Sequence, residues 1–165
     1  MFDPRKSEAP TSFSSSFSQY ADVLNELKAI YVSNRPNDIS NLLDDNGYKF
    51  EADSLDSIAL GTSLRTWDKA KESQVTTTLL ADSMERISEI NFSYTEAILY
   101  SSPDSVMVTW NYNLVRKDNV KIHGFSDFTL VRRLSRFYLH QWKDRTDQGN
   151  QIAKSWGRWK LEHAQ

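Results

Sequence analysis

Apolar residues follow two different rhythms along this chain, with the change near residue 86. In the first half they recur every three or four positions. Tyr20, Val23, Leu24, Leu27, Ile30 and Tyr31 predict a first helix that starts near Gln19 and has one apolar face. Pro36 ends it, because proline cannot continue a helix and disfavours helical backbone in the residue before it. Ile39, Leu42 and Leu43 predict a short second helix, closed by Asp44-Asp45-Asn46-Gly47 in the manner of a glycine C-cap. Tyr48 to Asp53 alternates as a short strand. Gly61-Thr62-Ser63 predicts a turn and a hydroxyl N-cap for a third helix carrying Leu64, Trp67, Val75 and Leu79.

From Arg86 the period falls to two. Ile90, Phe92, Tyr94, Ile98 and Tyr100 occupy even positions, and after the turn signal Pro103-Asp104 so do Val106, Val108, Trp110, Tyr112 and Leu114. Lys117-Asp118-Asn119 turns the chain again, ahead of strands from Val120 to Val131 and from Arg136 to Asp144. Four strands joined by short polar turns predict an antiparallel meander whose aromatic face lies against the helices. Residues 1–18, with Pro4, Pro10 and a Ser/Phe-rich stretch, hold no sustained period and read as a flexible arm. The tail, residues 148–165, is expected to add a short helix through Ile152, Trp156 and Trp159. The prediction is an α+β chain with one domain over residues 19–147.

This order of elements resembles the nuclear transport factor 2-like (NTF2-like) superfamily, in its branch of ketosteroid isomerase and SnoaL-like polyketide cyclases. The match is sharpest at His123-Gly124-Phe125-Ser126-Asp127-Phe128-Thr129-Leu130 and Arg136-Phe137-Tyr138-Leu139-His140-Gln141-Trp142-Lys143-Asp144, which look like the family's closing strands. Gly61-Thr62 and Leu42-Leu43-Asp44-Asp45 look like the start of its third helix and the end of its second. The resemblance implies a cone-shaped fold, with N-terminal helices packed on a strongly curved antiparallel sheet around an apolar cavity. It also implies dimerisation through the outer sheet face. The odd-numbered Met107, Phe125, Val131, Phe137 and Leu139 would supply the apolar surface for it. The chain departs from ketosteroid isomerase at Ser126, where that enzyme has a protonated aspartate in its oxyanion hole. Tyr31 is the nearest match to its tyrosine partner. Chemistry of that type is not expected here.

Composition narrows the function further. Five Trp, seven Tyr and eight Phe suit a packed interior or a pocket for a small hydrophobic molecule. Twenty basic against 22 acidic residues, for a net charge of -2, lack the footprint of a nucleic-acid binder. With no cysteine, thiolate metal sites, disulfides and cysteine nucleophiles are excluded. The chain has no apolar run of membrane-spanning length and no secretory signal, so a cytoplasmic location is expected. Three scattered histidines, dispersed glycines and no phosphate-binding loop leave no metal or cofactor expected.

If the even faces line the cavity, the interior collects Trp110, Tyr112, Ser126, Phe128, Tyr138, His140 and Trp142. A few polar groups among aromatic walls are the usual make-up of a small-molecule site. His140 is the candidate catalytic residue, as general acid or base, with Asp144 to orient it; Trp110, Tyr112, Ser126, Phe128, Tyr138 and Trp142 would bind substrate. A hydrogen-bonded core histidine and a solvated strand-end aspartate are the plainer alternatives. Glu51 and Asp53 oppose the apolar Tyr48 and Phe50, and His123 shares a face with Lys121 and Asp127, so these read as wet positions. Arg132, Arg133 and Arg136 read as a solvated hairpin end. The leading expectation is a cofactor-independent acid–base isomerase, lyase or cyclase. The alternative is a non-catalytic ligand-binding or dimerising adaptor.

Overall fold

The first helix, α1 (Tyr20–Ser33), opens on a reciprocal cap in which the Asp22 carboxylate accepts from the Gln19 amide at 3.1 Å. Its stripe of Val23, Leu24, Leu27, Ile30 and Tyr31 is fully buried. The computed structural model describes residues 17–149 and 153–165, with residues 92–101 described by their backbone alone. Of the expected arm only Phe17 and Ser18 are described; Phe17 is buried, and its carbonyl accepts from the Phe137 amide. Phe13 and Ile152 lie outside the described residues.

Pro36 opens a 3-10 helix (Pro36–Asn41) where a short α-helix was expected. β1 (Lys49–Glu51) follows, then α2 (Ser54–Leu60), β2 (Thr66–Trp67) and α3 (Lys69–Ala81). This region departs from the expectation that Gly61-Thr62-Ser63 starts a helix through Trp67. Gly61 is instead the left-handed C-cap of α2, Trp67 lies in a strand, and α3 begins at the N-cap Asp68. α2 has no apolar stripe to announce it, since its Leu55 and Ile58 are 47% and 73% exposed. Asp53 caps it by accepting from the Leu55 amide.

The remaining strands are β3 (Ile87–Ser102), β4 (Ser105–Arg116), β5 (Lys121–Arg133) and β6 (Arg136–Thr146), and the described chain closes with α4 (Trp156–Glu162). They form one curved six-stranded sheet in the order β2-β1-β6-β5-β4-β3. The expected meander is present, extended by β1 alongside β6 and by β2 beyond it. Among the described strand pairs only β1–β6 is parallel.

The even residues of β4, and those of β5 from Ile122 to Leu130, face the helices and are buried, as the alternation predicts. In β6 the phase breaks. Thr129 pairs with Gln141 but Leu130 pairs with Leu139, which leaves His140 as a bulge without a partner in β5. Before the bulge the odd residues Phe137 and Leu139 face inward; after it the even Trp142 and Asp144 do. Tyr138 and His140 therefore leave the inner face, contrary to expectation. Phe137 and Leu139 likewise leave the proposed dimer face. α4 is tucked inside the curve of the sheet rather than lying over it, with Trp156, Trp159, Lys160 and Leu161 buried.

Candidate functional site

Register on the inner face brings Trp110, Ser126 and Asp144 into one row across β4, β5 and β6, with Phe128 and Trp142 in the next. Tyr112 sits opposite Gly124. The close approach there requires glycine, since a Cβ on residue 124 would stand 2.7 Å from the Tyr112 hydroxyl and 2.6 Å from the Arg145 carbonyl oxygen. Trp110, Tyr112, Ser126, Phe128, Trp142 and Asp144 are all within 1% of complete burial.

Asp144 is the hub of this row. Ser126 Oγ donates to its Oδ1 at 2.7 Å, the Tyr112 hydroxyl donates at 2.9 Å, and the Gly157 amide donates to Oδ2 at 2.8 Å. Around them, Trp142 Nε1 donates to Ser126 Oγ at 3.0 Å and the Trp156 amide donates to the Tyr112 oxygen at 2.8 Å. The first turn of α4 thus points two backbone donors at the row, where the helix dipole favours negative charge. Burial nevertheless pushes the Asp144 carboxyl up to about 7, against the lowering effect of its three donors; Asp56 nearby adds to the rise.

Trp156 fills the space above. Its indole meets Trp142 at 4.8 Å, Tyr31 at 4.9 Å and Tyr112 at 5.3 Å between ring centres, all near edge-on. One turn on, Lys160 donates to Glu72 Oε2 at 2.7 Å, and both side chains are completely buried. Trp67 Nε1 donates to the other Glu72 oxygen at 2.7 Å. Burial pulls the Lys160 ammonium down to about 8, while Glu72 holds it up.

These two charged residues escaped the sequence reading, although a signal for each was present. Glu72 continues the α3 stripe of Val75, Thr76 and Leu79 backward by one turn, and Lys160 shares the 156/159/160 face of α4 with two tryptophans. A charge on an apolar stripe is buried and paired, or the stripe is not buried.

His140 stands elsewhere. Its Nδ1 donates to Asp44 Oδ2 at 2.8 Å, and Arg133 reaches the same carboxylate through two donors at 2.8 and 2.7 Å. Burial would raise Asp44, but Arg133 and His140 hold it at about 2. This cluster lies at the bulge, off the inner face that holds Asp144. Tyr138 is half-buried with the Arg136 guanidinium over its ring. Glu51 pairs with Arg65, Asp53 also accepts from the Thr146 amide, and His123 bridges the Tyr112 carbonyl and Asp147. Arg132 pairs with Asp104, and Arg136 donates to the Asn41 carbonyl. Among the described residues no three His, Asp or Glu side chains gather as a metal site, and no helix is long and apolar enough to cross a membrane.

A cleft of about 390 Å³ opens between α2 and the chain leading into α4, lined in part by Asp56, Thr146, Lys154 and Arg158. It reaches Asp56, whose carboxylate accepts from Ser155, the N-cap of α4.

No family model matches the sequence, and no curated protein matches it. Solved structures do match in shape. A candidate calcium/calmodulin-dependent protein kinase type II association domain from Thiobacillus denitrificans is 8% identical, with a TM-score of 0.62 over 78% of this chain and 94% of that one. An NTF2-like protein of unknown function from Shewanella oneidensis is 11% identical, with a TM-score of 0.60 over 78% and 96%. A candidate scytalone dehydratase from Novosphingobium aromaticivorans is 9% identical, with a TM-score of 0.60 over 84% and 91%. Together with the helices on a curved sheet and the order of the strands, these likenesses show that the chain has the NTF2-like fold.

Proposed function

We propose that this protein is a small-molecule pocket protein that works by proton transfer without a cofactor, its chamber closed by α4 and opened when that helix undocks. The observation that carries this reading is Asp144: a carboxyl near neutrality, fully buried among aromatic walls, with hydroxyl donors from Tyr112 and Ser126. A group of that kind in an apolar site is matched to general acid–base work at pH 7. Asp144 takes the proton-transfer role that the sequence assigned to His140. Tyr112 and Ser126 would turn to a substrate oxygen once the α4 amides withdraw. The substrate would be a hydrophobic molecule able to stack on Trp110, Phe128 and Trp142, and the reaction an isomerisation, elimination or cyclisation.

A thermal-shift screen of the full chain against hydrophobic metabolites, followed by turnover of any hit, tests this. Asp144→Asn should keep the binding and lose activity by about a hundredfold or more. His140→Ala should keep both. An Asp144→Asn protein turning over substrate at the parental rate would overturn the assignment.

A second reading, a non-catalytic dimerising adaptor, draws on one observation: α4 fills the chamber with its own side chains. Its outer-face patch is reduced to Met107, which is 41% exposed, with Phe125 and Val131 half-buried. A strict monomer at high concentration, measured by sedimentation, would remove the dimer.

A further inference from the structure

We propose that the Glu72 end of the chamber is a site for an organic ammonium ion, held in this structure by the chain's own Lys160. The proposal rests on the pocket reading above and names its ligand class. Glu72 comes from α3, and the rings of Phe50 and Trp142 from β1 and β6 close over the Lys160 ammonium at 4.0 and 3.1 Å. Phe50 is itself stacked on Trp67 at 4.6 Å, and Trp67 fixes the carboxylate through its indole N–H. Tyr48, 4% exposed, places its buried hydroxyl beside the same carboxylate. Aromatic faces around a cation, with one carboxylate behind it, are the chemistry that recognises organic ammonium groups.

Neither component of the cage belongs to α4. The carboxylate and the rings are carried by α3, β1, β2 and β6, while the ammonium arrives on a seven-residue helix at the end of the chain. Stability alone does not require a charge there, because a well-packed apolar pair of similar volume commonly replaces a buried ion pair at no loss. α4 also brings the Trp156 indole against Tyr31 and Tyr112, so it presents both an aromatic ring and an ammonium to the interior. A ligand taking its place would carry the same pair of features: an amine on an aromatic or aliphatic body.

Chemical rescue tests this in the full chain. Lys160→Ala empties the ammonium position while keeping the cage. n-Butylammonium chloride should then raise the melting midpoint by roughly 5–10 °C at a hundredfold excess over its dissociation constant. Butanol and sodium chloride should not, and Lys160→Ala/Glu72→Gln should lose the response. Equal stabilisation by butanol and butylammonium would overturn the cation site and leave the pocket reading intact. No response to either would overturn the cation site, while the Asp144 reading still stands or falls on its own turnover test. If Lys160→Ala does not fold, hydrogen exchange on the unmutated protein decides. Butylammonium, and not butanol, should speed exchange of the Trp156 and Gly157 amides as it competes with Lys160, and an unchanged rate overturns the proposal.

Discussion

At Asp144 three donors and a neighbouring aspartate act against one another, and desolvation dominates the outcome. The native state therefore holds a proton up to about pH 7 that the unfolded chain releases near pH 4. Between those values the native state binds more protons, so stability falls as pH rises through that window. Asp144→Asn should flatten this slope, which urea unfolding at a series of pH values from 4 to 8 would measure directly; an unchanged slope would place the titration elsewhere. Trp110, Tyr112, Ser126 and Phe128 could be placed inside from alternation alone, because β4 and β5 keep the period of two through them, and Trp142 of β6 kept its even phase because it lies beyond the bulge. Asp144 shares their face, but its burial could not be read, because that depends on α4 covering the strand end. His140 and Tyr138 were misplaced for a different reason. A bulge adds one residue to a strand without changing its composition, and the phase of everything before it is reversed.

Among the elements, α4 carries the proposed function, and the sequence announced it only as a short tail helix through Trp156 and Trp159. Seven residues are too few to form a stable helix alone, so its conformation depends on docking. Gly157 permits that docking. A Cβ there would meet Asp144 Oδ2 at 3.0 Å, Asp144 Cβ at 3.2 Å and Ala52 Cβ at 3.4 Å, which are two well-fixed carbons and one hydrogen-bonded carboxyl oxygen. Gly157→Ala would favour the helix by intrinsic propensity yet crowd its seat, and the crowding should win, with a loss of about 1–3 kcal/mol in chemical denaturation. A variant as stable as the parent would mean that α4 sits less closely on β6 than described. The helices with apolar stripes, α1 and the later part of α3, were legible from their spacing. The polar-faced α2 and the two-residue β2 were not, since neither has a periodic pattern long enough to detect.

Across the whole molecule, the curved sheet and the helices in front of it follow from the change of period near residue 86 and from the short polar turns between strands. What periodicity could not convey is that the cone is closed from within, by its own C-terminal helix seated on Asp144, Tyr112 and Glu72. Two buried charges and a raised carboxyl at that seat reduce the net gain from docking. α4 is therefore expected to be the element that releases first. Hydrogen exchange of the free protein, resolved to residues 153–165, tests this most directly. The amides of Trp156 and Gly157 should exchange at least about tenfold faster than those of β4 and β5, through an opening smaller than global unfolding. If they exchange only together with the central strands, α4 is a permanent part of the core and the chamber does not open.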